Sequence, residues 1–153
     1  MSTMIAQSLL PEFYHEMANT RKTLARVPET NGDFRPHPRS FTLARLAGHV
    51  AEIPLWAVTT LGQDSFDMRP NGVAPFEAYV FTSQAAALAL FDEHLAKARA
   101  LLAQTTDEAM MRTWTLSDNG TTLLSMPRVA VFRSFVMNHM IHHRAQLGVY
   151  LRM

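Results

Sequence analysis

The sequence predicts an all-α fold, four helices packed as a bundle, with a small β-hairpin before the last helix. Three observations lead there. Four segments place apolar residues at the three-and-four spacing of a buried helix face. The pair Asn119-Gly120 lies between two alternating runs, which is a hairpin signal. The 153 residues are 48% hydrophobic, which suits a single domain over 1–153 with one core.

The first helix is expected over residues 4–27, with Ile5, Leu9, Leu10, Phe13, Met17, Leu24 and Val27 as its apolar residues. Pro11 fits a first helical turn, so the helix proper is expected to begin there, and Pro28 closes it. "ETNGDFRPHPRS" reads as loop. Thr42 or Ser40 then caps a second helix over 43–62, with its apolar face on Leu43, Leu46, Ala47, Val50, Ile53, Ala57 and Leu61. Gly62 ends it, and Pro54 should bend it just after His49.

Residues 63–82 read as a long connection with a turn at Pro70-Asn71-Gly72. Ser83 caps the alanine- and leucine-rich third helix. "TTDEA" reads as a break, and "RTWTLSDNGTTLLSM" as the two short strands of the hairpin. Pro127 opens a final helix from about 128 to the end, apolar on more than one face.

Composition excludes several functions. There is no cysteine, so disulfides, thiolate metal sites and cysteine nucleophiles are ruled out. The formal net charge of +1 gives no electrostatic case for nucleic acid. No window is apolar for the ~20 residues that a membrane-spanning helix needs. The N-terminal residues lack the pattern of a secretory signal, so a soluble cytoplasmic protein is expected. The ten methionines read as adaptable core filler.

Of seven histidines, three fall within "NHMIHHRAQ". On a helix, His139 and His143 lie about 40° apart around the axis and one turn apart along it. They continue a stripe of Phe132, Val136, Leu147 and Tyr150, which should be buried, while His142 is placed at its edge. Two histidines at this spacing can share one metal ion, although a surface or hydrogen-bonded core pair is the commoner outcome of spacing alone. The second helix changes the balance, because His49 stands among Leu46, Val50 and Ile53. Burying three unpaired imidazoles would cost several kcal/mol, and a divalent ion would satisfy all three. Three protein ligands with open positions suit a catalytic site, whereas structural zinc sites are closed by four.

Glu52, one turn from His49, is the candidate catalytic residue, as a base toward bound water or as a group that orients the imidazole; a charge at the helix rim is the even alternative. Arg144 reads first as a helix-surface arginine, with pairing to a carboxylate or binding of an anionic substrate group as the alternatives, and Gln146 as an interhelical hydrogen bonder. His15, His94 and His37 have no patterned companions. Trp56 and Trp114 suit core or pocket wall.

"GHVAEIPLW" and "NHMIHHRAQLGVYLR" together resemble the DinB-like (DinB/YfiT-like) metalloenzyme superfamily, and the likeness in helix order, hairpin and histidine spacing runs over nearly the whole chain. The resemblance implies an up-and-down four-helix bundle, frequently a homodimer. It implies a divalent ion, nickel or zinc, on His49, His139 and His143. It also implies thiol S-transferase or hydrolase chemistry, with low-molecular-weight thiols such as bacillithiol or mycothiol as cosubstrates. Ala145 departs from the family's usual glycine, and its methyl group is expected to narrow a close helix approach without touching the ligands. Two other functions remain open at this point: a non-catalytic metal or small-molecule binder of a stress response, and a structural dimer whose histidines are satisfied by side chains and water.

Overall fold

The computed structural model describes residues 1–153. Helix α1 spans Met4–Leu24, so it begins more than a turn ahead of Pro11 rather than at it. The reason is tertiary. Asp107, far along the chain, accepts hydrogen bonds from the Ile5 N–H at 2.8 Å and from the Ser2 hydroxyl. A carboxylate at this end satisfies free N–H groups and complements the helix dipole. Pro11 is tolerated on the exposed side.

Helices α2 (Leu43–Gly62) and α3 (Gln84–Gln104) start where their caps predict. Thr42 accepts from the Arg45 N–H and Ser83 from the Ala86 N–H. Helix α2 runs unbroken through the buried Pro54. The stretch expected as a break contains a short helix, α4 (Asp107–Met111), started by Thr106. The chain then ends in one continuous helical run: α5 (Arg128–Val131), a π-helical segment Phe132–Asn138, and α6 (His139–Arg152). The wider π turns change the register ahead of the histidines. Phe132, Val136, Met137, Met140 and Leu147 are buried there, and His139, His143 and Tyr150 are half-buried. Helix α2 packs most extensively on α3, while α1 packs on α3 and α6 on α2 and α1. Their apolar faces meet in one core of 26 buried residues.

The all-α expectation of a four-helix bundle with a hairpin is wrong. The chain carries a three-stranded mixed sheet of order β1-β2-β3, with β1 (Ser65–Asp67), β2 (Thr113–Asp118) and β3 (Thr121–Pro127). Strands β2 and β3 form the expected hairpin, with Asn119 and Gly120 at positive φ in its turn. The unforeseen strand is β1, which lies in the connection after α2 and pairs parallel to β2, Phe66 opposite Leu116. Three residues are too few to show an alternating pattern. What fixes β1 is its own carboxylate reaching a distant turn, since Asp67 accepts from the N–H groups of Arg69, Asn119 and Gly120 at 2.9, 2.9 and 2.8 Å. The sheet closes over a second small core of Trp114, Leu116 and Val131, against which Trp56, Phe66 and Phe135 pack.

Two features fix the histidine-bearing helices. Arg128, only 3% exposed, donates to the carbonyls of Thr60 (2.8 Å), Gln63 (2.9 Å) and Ala109, and pairs with Asp64. It thereby caps the C-terminal ends of α2 and α4 and ties the start of the last helical run to both. Gly48, on α2, lies under an extended strap at residues 79–81. A Cβ at Gly48 would stand 2.2 Å from the Tyr79 carbonyl oxygen and 3.0 Å from the Phe81 nitrogen. The strap is held by Phe81 N–H to the Ala44 carbonyl at 3.0 Å and by Tyr79 N–H to the Glu52 carboxylate at 2.9 Å. Arg128→Ala leaves buried carbonyls without donors and is expected to cost about 2–4 kcal/mol in urea denaturation. Gly48→Ala must displace the strap and is expected to cost about 1–3 kcal/mol in the same measurement.

Candidate metal centre

Helix α2 presents His49 from a face that is otherwise buried, with Leu46, Val50 and Ile53 around it. His139 and His143 come from the first turns of α6, just past the π-helical segment, and face α2. The three rings converge: the centroid of His49 is 5.0 Å from that of His139 and 4.5 Å from that of His143, and those two are 4.7 Å apart. One ring nitrogen from each lies within 4.8 Å of the other two, an arrangement that could hold a metal ion.

Each imidazole is also gripped from outside. His49 Nδ1 lies 3.1 Å from Glu52 Oε1, His139 Nδ1 lies 3.1 Å from the Phe135 carbonyl oxygen, and His143 Nδ1 lies 2.8 Å from Gln146 Oε1. An oxygen that only accepts requires N–H at the facing nitrogen, so each neutral ring has its proton on Nδ1 and a lone pair on Nε2. Yet His49 Nε2 and His139 Nε2 stand only 3.1 Å apart. Two neutral imidazoles with those tautomers would aim lone pairs at each other. A cation between them removes the conflict, and at a Zn–N length of about 2.0–2.1 Å both nitrogens reach the same ion. The donor set therefore fits a divalent ion.

The electrostatics favour neutral ligands. Burial, together with the neighbouring His49 and His143, pushes the His139 pKa down to about 4. Burial also lowers that of His143, against the Gln146 hydrogen bond that raises it. Burial alone would raise the Glu52 pKa, but hydrogen bonds from His49 and the Tyr79 N–H and the Arg45 charge outweigh it, so the carboxyl lies below its ordinary value and is ionised. Imidazole must be deprotonated at the ligating nitrogen to bind a metal, so these shifts keep His139 and His143 available at neutral pH.

The other residues singled out from the sequence take different places. His142 is exposed, with its ring 4.8 Å from that of His143. Arg144 turns away from the histidines to α1, bonding the Glu16 carbonyl at 3.0 Å and its carboxylate at 2.6 Å, so it pins two helices instead of lying free on the surface. Gln146 serves His143 within α6 rather than bridging helices. His15 pairs with Asn19, and His37 accepts from the Arg39 N–H in its loop. His94, on α3, is half-buried and burial lowers its pKa. Trp114 is fully buried under the sheet, and Trp56 lines a cavity beside His49.

Three contributors were not foreseen. Arg45 lies one turn before His49, with Nη1 3.4 Å from Glu52 Oε1, and helical spacing alone could have found it. The Phe135 carbonyl and the Tyr79 N–H are backbone groups brought in by the π turn and the strap. No side-chain pattern marks them.

A family model described as the DinB family matches residues 1–153. No curated protein matches the sequence. Two crystal structures resemble the fold. One is of a DinB-like protein from Bacillus subtilis, 17% identical, covering 95% of this chain and 90% of that chain with a TM-score of 0.66. The other is of a DinB-like protein from Bacillus cereus, 19% identical over the same shares, with a TM-score of 0.67. Identity this low speaks for the fold alone, but the family model covers every residue of the sequence, and the chain belongs to the DinB family.

Proposed function

We propose that the protein is a metal-dependent enzyme of the thiol S-transferase or hydrolase type, in which His49, His139 and His143 hold one divalent ion, nickel or zinc. The observation that carries this reading is the 3.1 Å approach of two ring nitrogens whose partner nitrogens are already committed to acceptors. Neutral imidazoles with those tautomers would set two lone pairs face to face, a conflict that a shared cation relieves. Three protein ligands leave positions for a substrate, as catalytic sites do. Bound there, the ion supplies Lewis acidity that lowers the pKa of a thiol or water.

The chain's own groups prepare that chemistry. Glu52 Oε1 holds the His49 proton and the Arg45 guanidinium, and its Oε2 holds the Tyr79 N–H. With both oxygens engaged, Glu52 is better suited to orienting His49 than to serving as a base. Phe135 and Gln146 do the same for His139 and His143. Partners of this kind fix ring orientation and raise ligand basicity.

Elemental analysis of protein purified without chelator should find about one nickel or zinc per chain in the wild type. His49→Ala and His139→Ala should lose it. Full metal content in both variants, with folding intact, rules out the site. Glu52→Gln should keep the ion but bind it about 10–100-fold more weakly in a chelator competition. Low-molecular-weight thiols screened against halogenated and epoxide electrophiles should give turnover that disappears in His143→Ala. A metal-loaded wild type inert toward these and toward hydrolysable esters would instead be a binding protein.

A further inference from the structure

Beside the histidines lies a cavity of about 210 Å³, whose use the reading above does not specify. Its apolar lining includes Trp56, Phe66, Met68 and Phe76, and its polar lining is Arg45, His49 and Glu52. The aromatic wall is continuous with the histidine cluster. Trp56 meets Phe66 edge-on at 5.4 Å and Phe135 at 5.2 Å, and Phe135 lies 5.5 Å from His139. An apolar cavity of about 150 Å³ is enough for benzene, so this one takes a single ring with a short substituent. Flat rings edge-on to one another favour an aromatic guest.

Arg45 stands at the polar side of this chamber, its side chain 28% exposed. Its Nη1 makes two long contacts, 3.4 Å to Glu52 and 3.5 Å to the Tyr79 carbonyl, and its guanidinium packs 5.4 Å from the centre of the Phe41 ring. Neither Nε nor Nη2 has a partner among the chain's hydrogen bonds, so most of the five-donor fork is free. Glu52 is ionised and shares Nη1, so it offsets part of this attraction, but its oxygens engage His49, the Tyr79 N–H and Nη1 alone, and the Nε and Nη2 donors are left for a second carboxylate.

We propose that this chamber binds the substrate as a compact one-ring aromatic carboxylate, with the ring between Trp56, Phe66 and Phe76 and the carboxylate on Arg45. The proposal rests on the metal-site reading only in holding that the ring's reactive substituent lies toward His49. Binding itself comes from the aromatic wall and the guanidinium. A guanidinium–carboxylate pair at a partly buried site adds a charge-assisted hydrogen bond that a neutral isostere lacks.

Calorimetric titration of the metal-loaded wild type with phenylacetate, 2-phenylethanol and acetate tests it. Phenylacetate should bind at least about tenfold more tightly than either of the others. Phe76→Ala, at a residue 49% exposed and therefore safe for folding, and Phe66→Ala should weaken phenylacetate but not acetate. Arg45→Gln, loaded to the wild-type metal content, should lose the preference for phenylacetate over 2-phenylethanol. Equal affinity for acid and alcohol overturns the proposal, as does a preference that survives in metal-loaded Arg45→Gln but vanishes in His139→Ala, since the carboxylate would then sit on the ion. Metal content is measured on every sample. A protein without metal that still prefers phenylacetate keeps the chamber and loses the metal site; a metal-loaded protein without the preference does the reverse.

Discussion

Two imidazole nitrogens held face to face are the constraint on which this structure turns. At 3.1 Å, His49 Nε2 and His139 Nε2 repel unless a proton or a cation lies between them, and neither ring can flip without giving up its outer partner. One of those partners is a carboxylate on the same helix and the other is a backbone carbonyl in the π-helical segment. The convergence is therefore built into the helices themselves and needs only that α2 and the last helical run stay in register.

That register is secured at both ends of the histidine cluster. On one side, glycine at position 48 lets the strap at 79–81 lie directly on α2, and the strap's Tyr79 N–H holds the carboxylate that holds His49. On the other, Arg128 ties the start of the final helical run to the last turn of α2 through backbone carbonyls. Neither device touches one of the three histidines. Both decide how closely the two helices approach, and a cluster with a 3.1 Å contact is sensitive to small changes in that approach.

The mixed sheet matters to the site more than its size suggests. Strand β1 brings Phe66 edge-on to Trp56, and the hairpin buries Trp114 and Leu116 beneath. The result is an aromatic wall leading to His139. The DinB-like structures that this chain resembles share its fold at under 20% identity. A shared fold does not fix what is bound, so the side chains lining this cavity bear on function more than the fold does.

The sequence by itself determined most of the helices, their caps at Thr42 and Ser83, the hairpin turn, the family and the three histidines that meet. These follow from local periodicity, cap chemistry and left-handed turn residues, which act over a few positions and leave a readable trace. Only the tertiary structure decided the rest. Strand β1 owes its existence to Asp67 reaching the hairpin turn, and α1 owes its early start to Asp107. The short helix α4 was marked by a cap, Thr106, that a local reading passed over. The π turn, the strap's N–H and the Phe135 carbonyl act through backbone groups, which are the same at every residue and so carry no signature in the amino-acid string. Helix spacing could say which face His49 and His139 share. How near two helices come to each other is set by what packs between them, and that distance decides whether the histidines form a site.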